Sequence, residues 1–332
     1  MFGASAPLAK HLLGQVPPQL LAGLLYGGAA VALTAAMAMR PTPREARLRR
    51  SDAPTLIAIT ASGGVIAPVL LLVGLDRVSG VAGSLLLNLE AVFTLALALA
   101  VFGEYLNRRS ALGASAVVAA AGLLGFSGGG ASADWAGIAC IAAACLFWAI
   151  DNNLTQRLST RDPFAIVRAK VSVAAPVNLV IAIALGATRP PVGAIIAAAV
   201  LGGAAYGVSV VLDAYALRWV GAAREAAYFG TAPAFGVATA VVVLGETVSV
   251  GEAAAIVVMG LGIYLLLTER HGHRHTHSPT EHDPRHRHDD GHHDHRHDLN
   301  EESVEHSHPH AHAATAHAHP HVSDAHHRHK HG

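Results

Sequence analysis

Cysteine and charge are both scarce in this chain, and each shortage excludes a class of protein. The two cysteines, Cys140 and Cys145, lie in one apolar segment without CxxC spacing, so we interpret them as small apolar residues rather than metal ligands or a disulfide. Charged residues make up 14% of the chain against 52% hydrophobic residues, and the formal net charge is zero. This composition argues against a soluble globular fold, and the charge balance indicates no nucleic-acid partner.

Motifs for catalysis are also missing. The sequence has no evident nucleophile arrangement, phosphate-binding loop or helical HExxH motif, so it predicts neither an enzyme nor a required cofactor. Met1 is followed by neither a basic stretch nor an apolar run with a small-residue cleavage site. We therefore expect no secretory signal peptide.

Long apolar segments follow one another through most of the chain, joined by short connections. A helix of about 20 residues crosses a hydrocarbon core of about 30 Å. Nine segments approach this length and predict nine membrane spans, at residues 18–39, 54–75, 79–102, 112–126, 135–150, 164–185, 192–217, 222–244 and 253–267. Residues 1–16 are too short and too polar for a full tenth span, so we expect a partial one.

An internal repeat explains this arrangement. An offset of 142 residues places Phe93 on Phe235 and Glu104 on Glu246. Near the start of each half an offset of 146 residues places Phe2 on Trp148, which leaves residues 134–147 without a counterpart. The pattern predicts two copies of five helices, with the first helix truncated. A start codon placed too far downstream would produce this.

Copies with an odd number of helices must cross the membrane in opposite senses, which is the inverted-repeat arrangement of many secondary transporters. Arginine supports this, because it is concentrated in alternate connections. One set carries Arg40, Arg44, Arg47, Arg49, Arg50, Arg108, Arg109, Arg157, Arg161, Arg218 and Arg224, and the other carries only Lys10, Arg77 and Arg189. The positive-inside rule predicts a bacterial inner-membrane protein with its N-terminus and its C-terminal tail in the cytoplasm.

Both halves contain a stretch that resembles a family pattern. Residues 85–126 read LLLNLEAVFTLALALAVFGEYLNRRSALGASAVVAAAGLLGF, and residues 228–267 read YFGTAPAFGVATAVVVLGETVSVGEAAAIVVMGLGIYLLL. They are similar to the LxPVFT…GE…G…AG pattern of EamA-type members of the drug/metabolite transporter superfamily, with Ala91 where the first motif often has Pro. The resemblance implies an all-α membrane protein, a ten-helix bundle of two inverted five-helix repeats, that carries small metabolites or similar solutes, often outward.

This interpretation divides the chain into four parts. Residues 1–127 form the first repeat with its incomplete helix, residues 128–134 form the connection, residues 135–268 form the second repeat, and residues 269–332 form a tail outside the family core. The lipid bilayer is the obligatory partner. A homodimer is left open.

Ionisable residues within the predicted spans are candidates for transport, because a charge at bilayer depth costs at least a few kcal/mol. The candidates for a central cavity are Glu90, Asn88, Asp151, Asn152, Lys170, Arg168 and Asp213. We place Asp151 at the cytoplasmic end of the predicted helix at residues 135–150, where it pairs with Lys170 or Arg168 or contacts substrate. The alternative is that these groups form ion pairs and caps that fix packing. Glu90 is the first choice for exchanging a proton for substrate, whereas Glu104 and Glu246 fit a role at helix boundaries.

The tail contains 22 of the 23 histidines, and His11 is the other one. Its H-x-H spacing lets neighbouring imidazoles converge on one ion, which suits Zn(II), Ni(II), Co(II) or Cu(II). The candidate ligands are His271, His273, His275, His277, His286, His288, His292, His293, His295, His297, His308, His310, His312, His317, His319 and His321. Without metal, the tail lacks the apolar residues to offset ordering entropy, so we expect disorder.

Several functions remain open at this point. A solubilising tail and a pH-sensing tail compete with metal binding, and an expression tag fits the interspersed sequence poorly. The leading hypothesis is an exporter of a small metabolite or similar solute, whose tail binds divalent metal and regulates or feeds transport. One alternative is a divalent-metal efflux carrier. An alternative of another class is a membrane-anchored metal buffer or sensor.

Overall fold

A computed structural model describes most of the chain before the tail and short segments within the tail. The described residues are 1–39, 47–102, 108–126, 134–158, 161–220, 231–268, 271–276, 280–282, 285–286, 306–307, 310–312 and 316–321. Before residue 269 this part of the chain is helical. Its helices are α1 Phe2–Leu13, α2 Pro18–Met39, α3 Ala53–Ile59, α4 Ala67–Arg77, α5 Gly80–Leu86, α6 Leu89–Phe102, α7 Arg108–Phe126, α8 Trp135–Arg157, α9 Pro163–Ala184, α10 Val192–Leu201, α11 Ser209–Val220, α12 Ala232–Leu244 and α13 Val250–Leu267.

Two π-helical segments each lie between two α-helices of one continuous helical run. The first, π1, covers Thr60–Ile66 between α3 and α4, and the second, π2, covers Gly202–Val208 between α10 and α11. An offset of 142 residues carries one segment onto the other, which is the offset that the sequence repeat predicts. The backbone therefore preserves the same local distortion in both repeats.

The helices pack with a matching two-fold pattern. Helix α2 packs on its equivalent α9, and α7 packs on its equivalent α13. Helix α2 also contacts π2 in the way that α9 contacts π1. The predicted architecture of two inverted five-helix repeats in an all-α membrane protein is confirmed.

The outer surface of the bundle is apolar, as a bilayer requires. Six helical runs within the described ranges are long and apolar enough to span a membrane, and two shorter apolar helices, Ala232–Leu244 and Val250–Leu266, accompany them. Val31, Ile183 and Val200 are each more than two-thirds exposed on these helices. Side chains of this kind are stable facing lipid and costly facing water.

Glycine permits the closest contact between the repeats. A Cβ added to Gly28 on α2 would overlap the backbone oxygen of Ala199 on α10, whereas one added to Gly27 would meet no atom within 4 Å. Likewise, a Cβ on Gly113 would lie 2.8 Å from Gly262 O, and one on Gly262 would lie 2.8 Å from Gly113 O. Small residues at such crossings let helix backbones approach and gain van der Waals contact.

Polar contacts join the repeats at both ends of the bundle. At one end Glu246 accepts hydrogen bonds from the N–H groups of Gly80 and Val81, at 2.7 and 2.9 Å, and so caps α5. The predicted boundary position of Glu246 is consistent with this cap. At the other end Arg161 forms a partly buried ion pair with Asp52, with 2.9 Å between Nε and Oδ2.

A second ion pair is exposed. Arg77 Nη1 lies 2.8 Å from Asp134 Oδ2, where Asp134 caps the start of α8. The hydrogen bond from the guanidinium lowers the pKa of the Asp134 carboxyl.

Some predicted boundaries are wrong. Asp151 does not close its helix, because α8 continues to Arg157 and leaves Asp151 inside the bundle. The span predicted at residues 79–102 is broken by a turn at Leu87–Asn88, which separates α5 from α6. Glu104, residues 128–133 of the predicted connection and the start of the eighth predicted span, at residues 222–230, lie outside the described residues.

The described parts of the tail form three antiparallel strand pairs. His271–Thr276 (β1) pairs with Ala316–His321 (β6), Thr280–His282 (β2) with His310–His312 (β5), and Arg285–His286 (β3) with His306–Ser307 (β4). This differs from the disorder expected of these segments. Isolated two-stranded pairs are marginally stable in water, so disorder of the metal-free tail in solution stays a prediction.

Candidate transport cavity

A small polar cavity lies inside the bundle, between helices of both repeats. Its volume is about 40 Å³, enough for a few water molecules. Charged, amide, hydroxyl and aromatic side chains line it, namely Phe2, Tyr26, Glu90, Trp148, Asp151, Asn152, Lys170, Tyr206, Ser209 and Asp213, together with Val210.

Glu90 lies in the first turn of α6, directly after the break at Leu87–Asn88. Its side chain is buried, and its Oε1 accepts a hydrogen bond of 2.8 Å from Asn152 Nδ2 on α8. Its Oε2 has no hydrogen-bond partner among the residues that the structure describes. Discontinuous membrane helices are where secondary transporters build their binding sites, and this one presents a carboxylate with spare hydrogen-bonding capacity.

The second charged feature is a buried ion pair. Lys170 Nζ on α9 lies 2.7 Å from Asp151 Oδ2 on α8, with the two side chains 7% and 4% exposed. Thr155, one turn further along α8, donates a weaker hydrogen bond of 3.4 Å to Asp151 Oδ1. The Lys170 charge is therefore compensated within the cavity wall.

Four aromatic rings form a connected group on the cavity wall, which we call the aromatic cluster: Phe2, Tyr26, Trp148 and Tyr206. Phe2 contacts Trp148 with ring centroids 5.9 Å apart and Tyr206 with centroids 5.8 Å apart. Tyr26 contacts Tyr206 at 5.4 Å. These separations lie in the range favoured by aromatic pairs.

One backbone oxygen positions two of these rings. Gly63 O in π1 accepts hydrogen bonds from Tyr26 Oη at 2.6 Å and from Trp148 Nε1 at 3.2 Å. A Cβ on Gly63 would overlap the Asp151 carboxylate, so glycine is needed for this close approach.

Pro68 explains why that oxygen is free. Proline has no N–H, so Pro68 cannot donate to Gly64 O with α-helical spacing or to Gly63 O with π-helical spacing. The N–H of Ala67 bonds to Ser62 O. Gly64 O is satisfied by Asn178 Nδ2 at 3.0 Å. A single proline thus makes two carbonyl groups available to side chains from other helices.

Five of the seven predicted transport residues meet at the cavity. They are Glu90, Asp151, Asn152, Lys170 and Asp213. Asn88 and Arg168 are not among the lining residues. Asn88 lies in the helix break, where its Nδ2 contacts Met259 Sδ at 2.8 Å, and the Nε of Arg168 is buried.

The aromatic cluster was not predicted as part of the site. The alignment of Phe2 with Trp148 was a usable signal, because equivalent residues of inverted repeats meet at the two-fold axis when they lie on facing helices. Tyr26 and Tyr206 are aromatic residues in Gly- and Ala-rich segments, which is a weaker signal.

Part of the predicted metal set lies in the strands of the tail. The register places His271 opposite His321, His273 opposite His319 and His275 opposite His317. His286, His310 and His312 also lie in strands, whereas His277, His288, His292, His293, His295, His297 and His308 lie outside the described residues. The described ranges contain no group of three or more His, Cys, Asp or Glu side chains suited to a metal.

Comparison with known proteins identifies the family. A profile of the EamA-like transporter family matches residues 1–126 and 135–268. The chain belongs to the EamA-like transporter family. It is 30% identical over 286 residues to an uncharacterized transporter of Methanothermobacter thermautotrophicus (strain Delta H), covering 80% of this chain and 82% of that protein. A crystal structure of a protein with 20% identity has a TM-score of 0.61 and is matched over 80% of this chain and 97% of its own, which supports the fold.

Family membership and architecture together make this EamA-like protein a multi-pass membrane transporter.

Proposed function

We propose that this transporter exports a small solute in exchange for protons, with Glu90 as the group that binds the proton. The observation that carries the proposal is the buried Glu90 carboxylate, whose Oε2 is unpartnered within the described structure and which lines a cavity at a helix break. A carboxylate in this position can hold either a proton or a solute. Because Glu90 can hold only one of the two at a time, binding of a proton releases the solute, and this competition is the basis of exchange.

The arrangement of charges supports Glu90 over its neighbours. Asp151 forms an ion pair with Lys170, and Asn152 orients one oxygen of Glu90 by a hydrogen bond. Glu90 therefore retains an acceptor for a proton or a ligand donor while its other oxygen is held in place.

The tail forms the second part of the proposal. We place it in the cytoplasm of a bacterial cell, by the arginine asymmetry, and assign it divalent metal binding, by its H-x-H spacing. The bound metal regulates export. Zn(II), Ni(II), Co(II) and Cu(II) all fit this ligand chemistry.

The test compares four forms in cells that lack the protein: the full chain, Glu90→Gln, a chain ending at Glu269, and Asp76→Asn as a control for loss of an exposed carboxylate. Extracellular metabolites and cellular metal are measured with and without a protonophore. We expect the full chain and Asp76→Asn to raise at least one extracellular metabolite, and Glu90→Gln or the protonophore to abolish that rise.

Three results would contradict parts of this proposal. A rise in export that ignores both Glu90→Gln and the protonophore excludes proton exchange at Glu90. Lower metal accumulation that requires Glu90, without any metabolite change, makes the metal the cargo. Metal retention that depends only on the tail, with no Glu90-dependent export, makes the protein a metal buffer.

A further inference from the structure

We propose that the solute is an organic cation, a protonated amine with a compact ammonium group, bound between Glu90 and the aromatic cluster. This inference rests on the proposed function, because it assigns the chemistry of the solute to the same cavity.

The charges in the cavity wall favour a cationic solute. Lys170 and Asp151 neutralise each other at 2.7 Å. Glu90 remains beyond that pair as an acidic side chain of the lining, with one oxygen that has no hydrogen-bond partner within the described residues. A cationic solute compensates Glu90, whereas an anionic solute would face like charge in a desolvated space.

The hydrogen bonding of Glu90 favours a solute with a charged donor. Glu90 Oε2 is buried without a donor in the described structure, and the residue as a whole is 8% exposed. An unmet buried acceptor of this kind is costly, and charge-assisted hydrogen bonds are among the strongest available to it. A protonated amine supplies both the donor and the positive charge, which a metal ion or a quaternary ammonium does not.

The aromatic cluster also favours an organic cation. Its four rings line the same cavity and contact one another at 5.4–5.9 Å. Aromatic rings attract cations through their quadrupoles, most strongly where water is excluded. They also offer surface to an alkyl group, which a hydrated metal ion would not use.

The identity of the lining disfavours a divalent metal at this position. Apart from Glu90, the lining consists of aromatic, amide and hydroxyl side chains, Val210, the ion pair of Lys170 and Asp151, and Asp213. Within the described residues, no three His, Cys, Asp or Glu side chains are grouped so that they could hold a metal ion. The amine is assigned to the cavity, and the proposal of divalent metal in the tail rests separately on its H-x-H spacing.

The experiment measures equilibrium binding of three ligands of similar size to the purified full chain by calorimetry. The ligands are butylammonium, butanol and butyrate, which carry charges of plus one, zero and minus one. We expect butylammonium to bind at least about tenfold more tightly than butanol, a ratio typical of hydrogen bonds to charged groups. We expect butyrate to bind weakest.

Variants assign that preference to the cavity. Glu90→Gln should reduce butylammonium affinity by about tenfold or more, and Trp148→Leu should reduce it less, by several fold. Asp76→Asn, which removes an exposed carboxylate, should leave binding unchanged. The ligand series on the unmodified chain does not depend on whether any variant folds.

The outcomes separate the two proposals. Equal binding of butanol and butylammonium, or tighter binding of butyrate, overturns the amine assignment even where export still requires Glu90 and a proton gradient. A butylammonium preference that survives Glu90→Gln also overturns it. Glu90-dependent butylammonium binding supports the amine assignment even where export proves independent of protons.

Discussion

Phe2 and Trp148 occupy equivalent positions in the two repeats and lie edge to face, with ring centroids 5.9 Å apart. Each ring comes from the first helix of its repeat. The contact therefore joins the repeats at the wall of the cavity, and the geometry of the candidate site depends on how the repeats are placed relative to each other.

The two carbonyls freed by Pro68 give a double-mutant test. Asn178→Leu removes the donor to Gly64 O and should lower stability by about 1–3 kcal/mol. Pro68→Ala supplies a helical N–H for that oxygen, so Asn178→Leu should cost less in the Pro68→Ala background. Thermal unfolding in detergent measures all four forms. Strictly additive effects would show that the stabilisation by Asn178 does not depend on the missing N–H of Pro68.

The buried ion pair should be far more sensitive to the loss of one partner than of both. Lys170→Met leaves Asp151 buried without its cation, and we expect a loss of about 3–5 kcal/mol. Adding Asp151→Asn removes the uncompensated charge and should restore most of that loss. Denaturation of the single and double variants provides the measurement, and equal stability of the two would contradict the prediction.

Adjacent glycines on α2 form a matched pair for testing helix contact. Gly28→Ala would force α2 away from the Ala199 carbonyl and should cost about 1–3 kcal/mol. Gly27→Ala adds its methyl group in open space, and alanine is the better helix former, so stability should be unchanged or slightly raised. The melting temperatures of the two variants, compared with that of the unmodified chain, test this prediction. Similar losses at both sites would mean that the α2–α10 contact is loose.

Metal binding by the tail should depend on pH. Metal requires neutral imidazole, and the unperturbed pKa of histidine is about 6.5. Binding should therefore be complete at about pH 7.5 and largely lost at about pH 5.5, as protons displace the metal. Zn(II) titration of the full chain at both values tests this, with a chain whose tail histidines are replaced by Asn as control. Binding that persists in the control would point to the tail carboxylates.

The repeat architecture was predictable because it follows from local sequence patterns. Span length, the motif around Glu104 and Glu246 and the offset of 142 residues each depend on neighbouring residues or on a constant spacing. The π segments lie at that same offset, although the sequences TASGGVI and GGAAYGV share little beyond small residues.

The site was only partly predictable, because its details depend on distant partners. The Asp-Asn-Asn run at residues 151–153 is typical of a helix end, but the ion pair with Lys170 stabilises Asp151 in the middle of the bundle. The break at Leu87–Asn88 has no Gly or Pro to indicate it. The role of Gly63 O requires Tyr26 and Trp148 to converge from different repeats, which no spacing in the sequence encodes.

Gly63 O has a consequence for motion as well as for shape. It holds Tyr26 from the first repeat and Trp148 from the second, so a shift in the backbone of π1 must move or release both rings. By the reciprocity of linked equilibria, a solute that fixes those rings also makes local opening of the π1 backbone less favourable. Solute binding in the cavity would then be detectable as greater protection of the π1 amides from hydrogen exchange. The side chains of π1 need not touch the solute for this to occur.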